Sequence, residues 1–168
     1  GVYSLPRTLW LNEDGELGIA PAQELRSLRY NQTNNLNDIN ARSCEIMLIA
    51  NANAGSKIGL RIFLSKREYV DIFYDEKNRE LVYDATNAIQ GYDTKAVERA
   101  PFALRTDEKL SLNVFIDRCV IEVFANERQA ICRRSYRKAS PAYSVQLIGK
   151  DPKQADLTAW DIDETNLF

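Results

Sequence analysis

The stretch "IDRCVIEVFANERQAI", residues 116–131, decides how the chain is read. Side chains alternate along a strand, so Val120, Glu122 and Phe124 share one face and Ile121, Val123 and Ala125 the other. Ile121 and Val123 are expected to face a core. Asn126-Glu127-Arg128 reads as the turn of a hairpin, and "QAICRRSY" from 129 as its returning strand. Glu122 is the anomaly, an acid inside an apolar run. It is a catalytic carboxylate, a ligand, or a structural residue. A carboxylate beside Val120 and Phe124 is partly desolvated and needs a cation or backbone donors. Arg118 and Arg133 are the candidate cations.

The same pattern extends outward. "CEIMLIA", "IGLRIFLS", "YVDIFYD", "RELVYD" and "KLSLNVFID" precede or adjoin the hairpin, and "YSVQLIG" and "DLTAWDI" follow it. Each is short, rich in β-branched or aromatic residues, and bounded by turn formers. Asp75-Glu76-Lys77-Asn78 reads as a hairpin turn. So does Asn12-Glu13-Asp14-Gly15 within "RTLWLNEDGELGIAP", where Asp-Gly tolerates positive φ. "YDTKAVERAPFAL" is less regular, and Pro101 argues against an interior strand there. Only "PAQELRSLR" looks helical, for a turn or two. "NQTNNLNDIN" (31–40) is expected to be a loop, in which Asn31-Gln32-Thr33 meets the glycosylation pattern by chance. Strands follow one another too closely for βαβ crossovers. The expected fold is an all-β antiparallel two-sheet sandwich of about a dozen strands, in one domain over 1–168.

Composition narrows the function. The 168 residues carry 22 Lys and Arg against 24 Asp and Glu, a net charge of −2, which gives no general pull toward nucleic acid or an anionic membrane. No apolar run reaches the roughly 20 residues of a membrane helix. No repeat of fixed period suggests a propeller or solenoid. The first residue is Gly1 and not Met, so the chain reads as a fragment or processed piece of something longer.

Histidine is absent, which removes the usual general base, the commonest metal ligand and every Ser-His or Cys-His nucleophile. No glycine-rich phosphate loop occurs. The three cysteines, Cys44, Cys119 and Cys132, include no CxxC, so no zinc site or disulfide framework is indicated. Three buried thiols is the plainer reading; a Cys119–Cys132 bridge is the alternative if the hairpin register allows it. The basic cluster "RRSYRK" (133–138) reads as a solvated rim. Tyr69, Phe73, Tyr74 and Tyr83 are either a sugar-stacking platform or, more commonly for strand aromatics, core. No catalytic residue, metal or cofactor is assigned.

Three segments carry a family resemblance. "ERAPFAL" (98–104) with "KLSLNVFIDRCVIEVFANERQAI" (109–131), "LPRTLWLNEDGELGIAPAQELRSLR" (5–29) and the closing "LTAWDI" (157–162) resemble the C-terminal β-sandwich module of glycoside hydrolase family 32. These enzymes are the β-fructofuranosidases: invertases, levanases, inulinases and fructosyltransferases. The resemblance implies two sheets of about six strands each, of the concanavalin A-like or jelly-roll type. It also implies an N-terminal five-bladed propeller partner that holds the catalytic acids. The propeller's W-M-N-D-P-N-G, R-D-P and E-C motifs have no counterpart here. Cys44-Glu45 is the reverse of Glu-Cys, and Lys150-Asp151-Pro152 lacks the Arg.

By the resemblance Glu98, Arg99, Pro101, Asp117, Arg118, Glu122, Phe124 and Asn126 are a structural or interface signature, and Glu122 is not an acid/base. The turn departs from the family's Asn-Asp-Gly by carrying Asn126-Glu127-Arg128, without the glycine that makes positive φ inexpensive. The implied function is an accessory module that braces the catalytic domain of an enzyme acting on sucrose or fructan, and in some members shapes the active-site rim or a homodimer contact. An independent carbohydrate-binding module and a ligand-free structural remnant are the other two readings. Compartment stays open and leans to an extracytoplasmic setting.

Overall fold

The structure, a computed structural model, describes residues 3–39, 42–88, 96–136, 144–149 and 155–163. It is an antiparallel β-sandwich with thirteen strands among the described residues: β1 (Arg7–Leu11), β2 (Leu17–Pro21), β3 (Arg29–Thr33), β4 (Ser43–Ala50), β5 (Lys57–Phe63), β6 (Tyr69–Asp75), β7 (Glu80–Asp84), β8 (Val97–Pro101), β9 (Leu110–Asp117), β10 (Val120–Ala125), β11 (Gln129–Arg134), β12 (Val145–Ile148) and β13 (Ala155–Ile162). Six form one sheet in the order β11-β10-β9-β4-β13-β3, five form the other in the order β12-β5-β6-β7-β8, and β1-β2 is a separate hairpin. Among the described residues no helix is long and apolar enough to cross a membrane.

Alternation explains the core. Cys44, Ile46, Leu48 and Ala50 of β4 point inward, as do Leu110, Leu112, Val114 and Ile116 of β9 and Ile121, Val123 and Ala125 of β10. Leu60, Ile62, Val70, Ile72, Tyr74, Leu81 and Tyr83 meet them from the second sheet. Each fully buried Leu, Ile or Val contributes about 1.5–3 kcal/mol relative to an exposed one. Tyr83 satisfies its buried hydroxyl by donating to Ser135 Oγ at 2.9 Å.

The strand aromatics therefore divide. Tyr74 and Tyr83 are core, whereas Tyr69 and Phe73 lie on the outer face of the five-stranded sheet. There the Arg61 guanidinium sits 3.7 Å from the Tyr69 ring and the Lys57 ammonium 5.0 Å from Phe73.

Several expectations need correction. The segment read as a loop, 31–40, holds the last three residues of strand β3, which extends from Arg29 to Thr33 on the sheet's edge; an edge strand facing water needs no apolar alternation. A single turn of 3-10 helix follows at Leu36–Asp38, and the expected helical turn after Pro21 is also 3-10, at Gln23–Leu28. Pro101 ends edge strand β8, in keeping with the expectation that it does not occupy an interior strand. The cysteines are all thiols, but only Cys44 is buried; Cys119 is half-buried and Cys132 exposed. The bridge fails on register, because Cys132 pairs with Glu122 while Cys119 lies in the turn before β10. Residues 137–138 of the basic cluster and Lys150-Asp151-Pro152 lie outside the described residues.

The glycine-less hairpin keeps its register. Asn126 and Glu127 both take positive φ, +45° and +54°, and the Arg128 N–H closes on the Ala125 carbonyl at 3.0 Å. Asn tolerates this region better than most residues. Its side chain adds further ties: Oδ1 accepts from Ser111 N at 2.8 Å, and Nδ2 donates to Glu108 Oε1 and the Lys109 carbonyl.

Candidate functional site

The outer face of the six-stranded sheet carries an unusual row. Strand register aligns Cys132, Glu122, Phe115, Glu45 and Trp160 across β11, β10, β9, β4 and β13. Both acids are buried, at 1% and 0% exposure. A carboxylate so placed must be matched by charge and hydrogen bonds.

Both matches come from the N-terminal segment, which crosses this face as the β1-β2 hairpin and the 3-10 turn. Glu122 Oε1 accepts from the Leu5 N–H at 2.6 Å, and Oε2 from Arg7 Nη2 at 2.5 Å. The cation is thus Arg7, where Arg118 or Arg133 was expected. Arg133 instead pairs with Glu98 at 3.0 Å, and Arg118 takes φ +52° in the β9-β10 turn and donates its N–H to the Arg42 carbonyl. Two turns intervene before Arg29, which grips Glu45 with both Nε and Nη2 at 2.6 Å. Each arginine also covers an aromatic ring: Arg7 lies 5.4 Å from the Phe124 centroid, and Arg29 lies 4.2 Å from Trp160. Residues 5–29 are fastened at both ends.

Sequence reasoning found Glu122 and missed Glu45, which it met only as a reversed Glu-Cys. The signal was present: "CEIMLIA" places one acid on the face opposite Cys44, Ile46 and Leu48, as "VIEVFA" does for Glu122.

Of the remaining signature residues only Phe124 joins this row; Glu98, Arg99, Pro101 and Asp117 lie elsewhere. Glu98 and Arg99 tie β8 to its neighbours, Arg99 through Glu80 at 2.9 Å. The Pro101 carbonyl accepts from Gln129 Nε2 at 3.0 Å. Asp117 is exposed at the end of β9. Phe124 is buried edge-to-face against Phe115, with centroids 6.3 Å apart.

A second network holds the hairpin's tip. Arg105 bridges Asp14 and Glu16, and Glu108 accepts from the Arg105 N–H, from Asn126 and from Arg128 Nη2. Burial pushes the Glu108 carboxyl up, but these donors and the Arg128 charge outweigh it and hold the pKa below the ordinary range. The Cys132 thiol moves the other way: although the residue is exposed, partial desolvation of its sulfur raises it first and the Glu122 charge adds to that, against a lowering influence of Arg7.

Chemically the row anchors. A glycosidase-type pair needs two carboxyls open to a sugar between them. Glu45 and Glu122 are separated by the Phe115 side chain and each is engaged by an arginine. Among the described residues no group of three or more His, Cys, Asp or Glu could hold a metal ion.

Comparison with known proteins follows the fold. The model of "Glycosyl hydrolases family 32 C terminal" matches residues 20–161. Among solved structures, fructan 1-exohydrolase IIa from Cichorium intybus superposes with a TM-score of 0.80 at 19% identity, covering 96% of this chain and 41% of that one. Exo-inulinase from Aspergillus awamori gives 0.74 at 15%, covering 96% and 36%. Sucrose-6-phosphate hydrolase from Lactobacillus gasseri gives 0.71 at 19%, covering 94% and 33%. The chain therefore spans about a third to two-fifths of the length of these structures, and at such identities the likeness is one of fold. No curated protein matches the chain. With the family model covering most of its length, from the end of β2 to the end of β13, the chain belongs to the glycosyl hydrolase family 32 C-terminal family.

Proposed function

We propose that this chain is the accessory module of a fructoside-acting enzyme, non-catalytic by itself, and that it braces a catalytic domain of the propeller kind. The observation that carries this is the outward face of the β1-β2 hairpin. Leu9, Leu11 and Leu17 are 56%, 74% and 56% exposed. Register places Leu11 opposite Leu17 and Leu9 opposite Ile19, so they form one apolar surface. Such a surface on a segment fastened by two buried ion pairs is suited to a permanent partner. The signature residues Glu98, Arg99, Pro101, Asp117, Arg118, Glu122, Phe124 and Asn126 serve to keep the module's edges, turns and N-terminal segment in place.

The test uses this chain with a catalytic domain of the same family encoded beside it. The chain alone is expected to release no sugar from sucrose, levan or inulin. It is expected to bind the catalytic domain and to raise its thermal midpoint, and L9D/L11D to abolish both effects. Cleavage by the chain alone, or binding indifferent to L9D/L11D, refutes the proposal.

A further inference from the structure

The N-terminal segment does not close completely on the sheet beneath it. Between the hairpin, the 3-10 turn and strands β4, β9 and β10 lies an open groove of about 520 Å³, within the size range of small-molecule sites. Its wall on the hairpin side is Thr8 and Trp10, its floor is Met47, Ser111 and Asn113, and Gln23 lies on the opposite wall.

Three features give it a chemical character. Trp10 is held flat: it pairs with Gly18, and a Cβ at residue 18 would fall 2.1 Å from the indole Cε2, so the ring rests directly on the glycine. The indole N–H donates to Asn12 Oδ1 at 2.7 Å, which fixes the ring's orientation. One face is spent on Gly18, and the ring lines the groove. Asn113 sits in register between Met47 and Phe124 at the centre of the floor, and its Oδ1 is buried without a partner. Such an amide is a costly group to leave unsatisfied, and rotation of its side chain presents either a donor or an acceptor. Glu45, which also borders the groove, is neutralised by Arg29.

A fixed aromatic plane, an unsatisfied amide and a hydroxyl from Ser111 on an uncharged floor, with the exposed Glu24, Arg26 and Glu127 of mixed sign also lining the groove, match a neutral polyhydroxylated ring better than an acyl chain. We propose that this groove is a neutral-oligosaccharide site in which Trp10 stacks on a sugar ring and Asn113 bonds its hydroxyls. The inference rests on the accessory-module reading only for the choice of fructosyl sugars as first probes.

The test is calorimetric titration of the purified chain with 1-kestose and, as a glucose-only counterpart, maltotriose. The expected result is saturable binding of at least one, weakened about tenfold by W10A and by N113L. Circular dichroism melts identify any variant that fails to fold, and S111F, which fills the groove from its floor, provides an independent block. Absence of binding by both sugars, or binding unchanged in the folded variants, overturns the site. Either result leaves the hairpin association and activity assays untouched, so failure of the groove and failure of the accessory role are read separately.

Discussion

Glu45 and Glu122 stand on either side of Phe115, each in register with it, and each is gripped by an arginine from one end of the same 25-residue segment, residues 5–29. Buried ion pairs are poor sources of net stability, because desolvation offsets attraction, yet breaking one partner is expensive. Their effect is to specify where the segment lies. E122Q or E45Q is expected to lower stability by about 2–4 kcal/mol, by stranding Arg7 or Arg29. Because both pairs flank Phe115 and fasten the same segment, the two losses are coupled and the double variant should depart from their sum. Urea unfolding followed by circular dichroism measures this; a loss under about 0.5 kcal/mol, the range of ordinary surface substitutions, contradicts the clasp.

Gly18 and Gly59 both lack room for a methyl group, for different reasons. At Gly18 the obstacle is the Trp10 side chain, at Gly59 the backbone of Ile72 and Phe73, with the Ile72 carbonyl 2.0 Å from the added carbon. A side chain can swing away, whereas a neighbouring strand cannot. G18A is expected to cost about 1–3 kcal/mol and to red-shift Trp10 emission as the ring turns into water, while G59A costs more and leaves Trp10 emission native until unfolding. Equal losses from the two would contradict the assignment.

Acid should destabilise the protein through two carboxylates. Burial raises the pKa of Asp75, but the Asn78 side chain and N–H, then Lys57 and Arg99, outweigh it and hold it low, and Glu108 is likewise depressed. A folded pKa below the unfolded one gives stability that is present above the unfolded value and lost as pH falls through the folded one. The loss is therefore expected below about pH 4, the ordinary carboxylate range. Thermal midpoints against pH should fall there, and more gently in D75N and E108Q; an acid limb unchanged in both variants would count against this origin.

The Cys132 thiol reports on the clasp through its neighbour Glu122. The thiol pKa is raised by burial and then by Glu122, and lowered by Arg7. Alkylation by iodoacetamide near pH 8 should be slower than for a model thiol, since the thiolate is the nucleophile. E122Q should accelerate it several-fold and R7M should slow it. Rate changes of the same sign in both variants would mean that exposure, not charge, sets the reactivity.

The sandwich was legible because β4, β9 and β10 each alternate apolar residues on the core face, and because the turn at Asn12–Gly15 announces itself. Strand β3 was not, since "RYNQT" lies on an edge and borrows its order from β13 instead of from its own pattern. The acid at Glu122 stood out by its apolar neighbours, but its partner did not. Arg7 lies 115 residues away in sequence, and spacing along a strand carries no information about a segment that folds across the sheet. Glu45 shared the same pattern and was passed over because it resembled a dipeptide from another domain. The groove at Trp10 was invisible for a related reason: it exists only where the hairpin meets Asn113, two stretches about a hundred residues apart.

Strand β13, the last described in the chain, does not lie at a sheet's border; it is inserted between β4 and β3. During synthesis β4 therefore waits with one side unpaired until residues 155–162 have left the ribosome, and β3 has no neighbour at all. An early stop before that point would leave an apolar strand exposed along its full length, the condition that favours aggregation over refolding. Quality control should accordingly tolerate changes at the hairpin tip far better than a nonsense mutation anywhere upstream of Trp160.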